Sequence, residues 1–328
     1  MAENLDVKFH IFDLEFQPYK EQSGTLGSFN ILKSCIRKIN DERTQNRRFL
    51  IIDRHETRDK AESRKLFVSS ASYSHTDKMF KCRINLLRDK APSFLDKEKL
   101  TISSTIDLKN KELVETTNFY IDMDKLNEPT VICEYNNLGP KISDIEYYFR
   151  TISSRKHLII SKACKAKIHM EKSVEQVIDS MQNVFRFKFK ARPENLPSLY
   201  RDINDAFITN MQSLVNTVDP KTIRVDLSFR DQGGKKLVSE TNYKMVSTSK
   251  KILNAVLNNT KVVEDIDDFF LEYEDSNGES NDFSLIRGKV SLDSNCPLKD
   301  GKKGLLDTRF LFEDIKKKYL AYKAEKRN

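Results

Sequence analysis

Alternation of apolar and polar residues is the feature that most constrains this fold. The segments 79–87, 184–190 and 223–229 each carry an apolar residue at about every second position. A period of two predicts strands that bury one face and expose the other. Within the first 140 residues, such strands follow one another with few helical patterns between them. We therefore expect an α+β fold, with a β-rich N-terminal half built on a mostly antiparallel sheet and a mixed α/β C-terminal half.

The clearest interruption of the pattern is the turn sequence Asn-Asn-Leu-Gly-Pro at 136–140. Clusters of Asn, Gly and Pro end regular structure. This segment therefore predicts a boundary between a β-rich domain, 1–140, and an α+β domain, 141–328, which carries a basic surface. No long linker separates the two halves, so a single intertwined domain is the alternative.

Three local patterns give further predictions that a structure can test. The apolar run 49–52 predicts a buried strand. Ser143 and Glu146 have the spacing of a capping box, which predicts that a helix begins after Ser143. Apolar residues at helical spacing predict one longer helix over 197–216, which ends before Pro220.

The positive charge of the chain is concentrated in one segment. The chain has 57 Lys and Arg against 49 Asp and Glu, a net charge of +8. Residues 150–192 contain eleven of those cations and three acids, so this segment alone accounts for the whole excess. A local basic surface favours a polyanionic partner. Nucleic acid is the leading partner, and an acidic protein or a membrane surface is the alternative.

Alternation within 184–190 predicts to which face of a strand each side chain of this basic segment points. Its three Phe residues share one face of the predicted strand and anchor it in a core, while Arg186, Lys188 and Lys190 point the other way, about 6–7 Å apart. Lys165 and Lys167 share parity and are expected on an adjacent strand. We expect contacts to the phosphate backbone without base readout, to DNA or RNA. The predicted nucleic-acid-binding residues are Arg155, Lys156, Lys162, Lys165, Lys167, Arg186, Lys188, Lys190 and Arg192.

Two other functions fit the sequence. The segment 264–282 has nine acids and no Lys or Arg, and Glu272 and Glu274 share a face of a predicted strand. Paired carboxylates bind Mg²⁺, so a metal-dependent nuclease is one alternative, although Glu272 lacks the lysine expected two residues later. An acidic loop that is solvated, or that docks on the basic segment as a phosphate mimic, fits better. The second alternative is a scaffold or sensor subunit that binds a protein partner or forms a homo-oligomer.

No pattern predicts a catalytic residue, so binding is favoured over an enzymatic activity. The five His and five Cys residues form no metal-binding motif, and no nucleotide fingerprint occurs, so no metal or cofactor is expected. Cys82 and Cys133 lie in apolar runs and are expected to be buried structural thiols.

Location and source are inferred from composition. The chain shows no secretory signal and no apolar run long enough to span a membrane, and its cysteines are dispersed, which favours the cytoplasm. Few Gly and Pro residues and no Trp, with abundant Lys, Asn and Ile, are typical of AT-rich bacterial or phage-like genomes. An accessory role, such as phage defence, is the corresponding expectation.

Overall fold

The helices and strands of the chain confirm the α+β class. The computed structural model describes residues 4–19, 26–56, 63–88, 94–96, 101–103, 113–124, 128–154, 157–229, 240–299 and 306–326. The strands are β1 (Asn4–Pro18), β2 (Ile52–Asp53), β3 (Lys65–Ser74), β4 (Met79–Leu87), β5 (Phe94–Asp96), β6 (Thr101–Ser103), β7 (Val114–Asp122), β8 (Thr130–Glu134), β9 (Ser161–Ile168), β10 (Asn183–Ala191), β11 (Ile223–Ser228), β12 (Ile266–Glu274), β13 (Ser280–Ser284) and β14 (Ser291–Pro297). The α-helices are α1 (Ser28–Thr44), α2 (Ile142–Ser153), α3 (Val174–Ser180), α4 (Leu196–Ile203), α5 (Ala206–Val218), α6 (Glu240–Asn258), α7 (Thr260–Asp265) and α8 (Thr308–Glu325).

The chain divides into two compact units. Unit 1 is Met1–Ala166 with Ser291–Asn328, and unit 2 is Lys167–Val290. The sequence predicted a boundary at residue 140, whereas the chain passes into unit 2 after Ala166. It returns to unit 1 because β14 pairs with β1 along Asn4–His10, a contact between the two ends of the chain.

Unit 1 is built on an eight-stranded sheet. Antiparallel pairs join its strands in the order β14-β1-β8-β7-β4-β3-β2, and β9 pairs with β1. The alternation at 79–87 corresponds to β4, whose bounds are Met79–Leu87. The predicted antiparallel sheet in the N-terminal half is therefore confirmed.

Side chains pack on both faces of the unit 1 sheet. Phe119 and Tyr120 are neighbours in β7, so their side chains point to opposite faces. The Phe119 ring lies against Phe149 of α2, with 6.4 Å between centroids, while Tyr120 packs against Phe312 of α8 at 5.0 Å. Both residues are buried. Helices therefore cover the two faces, and each face contributes to the core of unit 1.

Unit 2 is built on a four-stranded sheet that buries one face. Antiparallel pairs join its strands in the order β11-β10-β12-β13. Phe187 and Phe189 of β10 share a core with residues of α4, α5 and α6, among them Leu199, Ile208 and Leu253. Apolar burial thus holds the helices to a single face of the sheet.

The predicted helix over 197–216 is wrong, because the structure has two helices there. α4 ends at Ile203, and the next residue, Asn204, adopts the left-handed conformation with φ of 47°. Asp205 then caps α5, and its carboxylate accepts a hydrogen bond from the Phe207 N–H at 2.9 Å. Lys251 of α6 donates to the same carboxylate at 2.9 Å. Asn and Asp favour caps and turns over helix interiors, and here they override the apolar spacing.

Two other local predictions are also wrong. The run 49–52 does not form a buried strand, since Phe49 and Ile51 are about half exposed and only Ile52 enters β2. Helix α2 begins at Ile142 rather than after Ser143. Its first turn is closed by Asp144, whose carboxylate accepts a hydrogen bond from the Lys141 N–H at 3.0 Å.

Candidate nucleic-acid interface

The alternation at 184–190 forms β10 and turns its cations away from the core. Phe185, Phe187 and Phe189 are buried, at 2% exposure or less. On the other side of the strand, the side chains of Arg186 and Lys188 are 45% and 26% exposed. The face of the unit 2 sheet that carries these cations is called the open face below. The prediction of an apolar anchor beneath a row of cations is confirmed.

The register of the sheet sets which residues lie beside these cations on the open face. Directly opposed residues in neighbouring antiparallel strands have Cβ atoms about 4.5–5.5 Å apart. Successive rows across the sheet are separated by two residues along each strand, about 6–7 Å. In the order β11, β10, β12, β13, the rows are Ser228-Arg186-Glu272-Asp282 and Asp226-Lys188-Phe270-Ser284, followed by Arg224-Lys190-Asp268 on the first three strands.

Asp226 neutralises part of the basic strand. Arg186 donates two hydrogen bonds to the Asp226 carboxylate, from Nε at 3.0 Å and from a terminal nitrogen at 2.9 Å. Lys188 Nζ lies 3.8 Å from the same carboxylate. The hydrogen bond from Arg186 lowers the pKa of Asp226, and the same contact raises the pKa of Arg186. The charge of Arg186 is therefore partly satisfied within the sheet.

A groove on the open face gathers the remaining positive charge. It has a volume of about 450 Å³. Its lining residues are Arg186, Lys188, Lys190, Arg224, Asp267, Asp268, Phe270, Ser284, Ile286 and Arg287. Five of them are cations and two are acids. Among the residues that the structure describes, the side chains of Lys190, Arg224 and Arg287 have no ion-pair partner within 4.0 Å.

The structure does not bring all of the predicted site residues together. Lys162 and Lys165 lie on β9, which pairs with β1 in the sheet of unit 1. The expectation that Lys165 and Lys167 lie on a strand adjacent to β10 is wrong, because β10 pairs with β11 and β12. Lys167 belongs to unit 2 but lies near the end of β9.

Three other predicted residues are either outside the groove or outside the described residues. Arg192 follows β10, with Nε 4.0 Å from Asp267 and a terminal nitrogen 3.6 Å from Glu194. Arg155 and Lys156 lie outside the described residues. Of the seven predicted residues that the structure describes, the groove therefore includes three, namely Arg186, Lys188 and Lys190.

Sequence reasoning missed two cations of the groove, Arg224 and Arg287, and the acid Asp226, which pairs with Arg186 and Lys188. Arg224 and Asp226 alternate with the apolar residues of β11, so the pattern at 223–229 already turned them to a polar face. The pattern at 223–229 did not show that β11 pairs with β10. This pairing sets Arg224 opposite Lys190 and Asp226 opposite Lys188. Arg287 follows β13, and no alternation marks it.

The acidic segment 264–282 contributes mainly to a hairpin. β12 and β13 are joined by a turn in which the Asp275 carboxylate accepts hydrogen bonds from the N–H groups of Asn277 and Glu279, at 2.9 and 3.0 Å. Glu272 lies opposite Arg186 in the register of the sheet. Within the described ranges, no three His, Cys, Asp or Glu residues are grouped so that they could hold a metal ion. The pair Glu272 and Glu274, on which the alternative of a metal-dependent nuclease depends, stays a prediction.

All five cysteines are buried, as predicted for Cys82 and Cys133. Burial raises the pKa of the Cys82 thiol far above its ordinary value, which disfavours the reactive thiolate.

Among the helices of the described residues, none combines the length and apolar character needed to cross a membrane.

No protein-family description matches the sequence. No curated protein is significantly similar to it.

Proposed function

We propose that this chain is a non-enzymatic protein that binds nucleic acid through the groove on the open face of unit 2. One observation carries the proposal: five cations and only two acids line a single groove of about 450 Å³. Phosphates that contact Lys and Arg release condensed counterions, which drives binding without base readout. A cytoplasmic location and a role in phage defence accord with this proposal as predictions from composition.

The ion pairs of the groove move the proposed phosphate contacts along β10, away from Arg186 and toward Lys190. Arg186 has a carboxylate partner, whereas Lys190, Arg224 and Arg287 have no ion pair among the described residues. An ion pair within the protein must be weakened before its cation can neutralise a phosphate. We therefore assign phosphate binding mainly to Lys190, Arg224 and Arg287, with Lys188 beside them.

Matched charge reversals test the proposal. We expect Lys190→Glu with Arg224→Glu to weaken binding of labelled single strands and duplexes on the order of 100-fold at about 50 mM salt, because two phosphate contacts become repulsive. The control is Lys162→Glu with Lys165→Glu on β9, which changes the net charge by the same amount. Fluorescence anisotropy measures both affinities.

The control separates a local site from a general charge effect. The proposal predicts that the β9 variant loses at most about 3-fold, through long-range electrostatics alone. Equal losses in the two variants, or parental affinity in the groove variant, would contradict it. Nuclease-resistant co-purification with a protein, without nucleic-acid binding, would favour the scaffold alternative instead.

A further inference from the structure

Among the described residues of the rows on the open face, Phe270 places an aromatic ring between polar and charged side chains. Phe269 and Phe270 are neighbours in β12, and alternation turns them to opposite faces. Phe269 is fully buried and belongs to the core of unit 2, whereas Phe270 is half-buried and lines the groove. Ile286, which is 46% exposed, lines the same groove. The groove therefore combines an apolar surface with cations.

The register places cations around this ring. Lys188 lies directly opposite Phe270 on β10, and its Nζ is 5.6 Å from the ring centroid. Lys190 and Arg224 belong to the next row of the sheet, about 6–7 Å farther along the strands. On the other side, Ser284 of β13 lies opposite Phe270. One edge of the ring is thus bordered by positive charge, and the other by a small polar side chain.

An apolar ring beside cations fits an unpaired nucleotide better than a duplex. Bases in a duplex are stacked on one another and present only their edges and the phosphates to a protein. An unpaired base has an accessible face that stacks on an aromatic side chain, while basic residues contact its flanking phosphates. A volume of about 450 Å³ lies within the usual range for small-ligand sites, so the groove has room for a base.

We infer that the groove binds single-stranded nucleic acid, with one unpaired base stacked on Phe270 and the flanking phosphates on Lys190, Arg224 and Arg287. This inference rests on the proposed function and adds the class of nucleic acid. Stacking is tolerant of base identity, because every base has a flat face. We therefore expect a preference for single strands with little dependence on sequence.

The test removes the ring from the protein and the bases from the ligand. The probes are a labelled single strand of about 12 nucleotides, its duplex, and an abasic strand with the same number of phosphates. We expect Phe270→Leu to weaken single-strand binding about 5-fold or more and to leave binding of the abasic strand unchanged. Phe270→Tyr, which keeps the ring, retains parental affinity. Phe49→Leu is the matched control, since Phe49 is an exposed aromatic residue of unit 1.

The outcomes separate this inference from the proposed function. If the parent protein binds the single strand, the duplex and the abasic strand with equal affinity, the single-strand inference is overturned while phosphate binding stands. The same follows if Phe270→Leu has no effect on single-strand binding. Unchanged binding in the Lys190→Glu, Arg224→Glu variant overturns the proposed function itself.

Parallel titrations with DNA and RNA strands of the same sequence show whether the groove prefers deoxyribose or ribose. Full displacement of the strand by a nucleoside monophosphate at about millimolar concentration would overturn a polymeric ligand, because multiple phosphate contacts favour the longer chain.

Discussion

The eight-stranded sheet of unit 1 and the four-stranded sheet of unit 2 use neighbouring aromatic residues differently. In unit 1, Phe119 and Tyr120 point to opposite faces and both are buried, because helices pack on each side. In unit 2, Phe269 is buried in the core while Phe270 lines an open groove. The difference shows which faces of each sheet are packed in a core. Both faces of the unit 1 sheet pack against helices, whereas one face of the unit 2 sheet carries polar and charged side chains and a groove.

The largest expected effect is the contrast between these two aromatic pairs. We expect Phe119→Ala and Tyr120→Ala each to lower the free energy of unfolding by about 3–5 kcal/mol, through lost burial and the cavities they leave. In unit 2, Phe269→Ala costs a similar amount, whereas Phe270→Ala costs about 1 kcal/mol or less, since it removes no core contact. Urea unfolding of the four variants measures this. Equal costs for Phe269 and Phe270 would mean that the open face is covered.

A second contrast concerns the carboxylates of the two sheets. Asp144 in unit 1 is buried and binds Arg54 Nη1 at 2.6 Å and Arg64 Nε at 3.0 Å. We expect Asp144→Asn to cost about 3 kcal/mol, because it removes a buried negative charge that two guanidinium groups contact. Asp226→Asn in unit 2 removes an exposed pair, and we expect no measurable change in the urea midpoint.

The Asp144 site also predicts a dependence on pH. Burial alone would raise the pKa of Asp144, but the hydrogen bond from Arg64 and the nearby positive charges of Arg54 and Arg64 lower it overall. A lowered pKa stabilises the folded state above the ordinary Asp value of about 3.9, and that contribution is lost as pH falls through the folded value. Stability of the parent should therefore decline below about pH 4 more steeply than that of Asp144→Asn. Equal acid slopes would contradict this assignment.

The smallest expected effect is a gain in affinity. Asp226→Asn releases Arg186 and Lys188 from their carboxylate partner and raises the positive charge of the open face. We expect nucleic-acid binding to tighten about 2- to 5-fold at low salt, and the gain to vanish at high salt, where exposed charges are screened. Anisotropy titrations at two salt concentrations check this. Weaker binding would show that Asp226 positions Arg186 for the ligand.

Local pattern was enough to predict the buried face and the polar face of β10 and β11 in unit 2. The alternation of Phe with basic residues predicted that β10 anchors in a core and exposes its cations. The same period in β11 separates Ile223 and Val225 from Arg224 and Asp226. Local sequence carries this information because side chains alternate strictly along a strand.

Pairing between distant strands is what the sequence did not reveal. Arg186 and Asp226 are 40 residues apart, and only the register of β10 with β11 brings them together. β9 carries cations as β10 does, yet it pairs with β1 in another sheet. A count of charges along 150–192 therefore merged two surfaces, and it missed the cations that β11 and the segment after β13 contribute to one of them.

The salt dependence of binding tests the central claim most directly. Each phosphate neutralised by a protein cation adds about −0.7 to −0.9 to the slope of log K against log salt. Replacing Lys190 and Arg224 by Ala should therefore make the slope less steep by about 1.5, while the same replacement at Lys162 and Lys165 leaves it unchanged. Parallel lines for the parent and the groove variant would contradict the claim that this groove holds the phosphates.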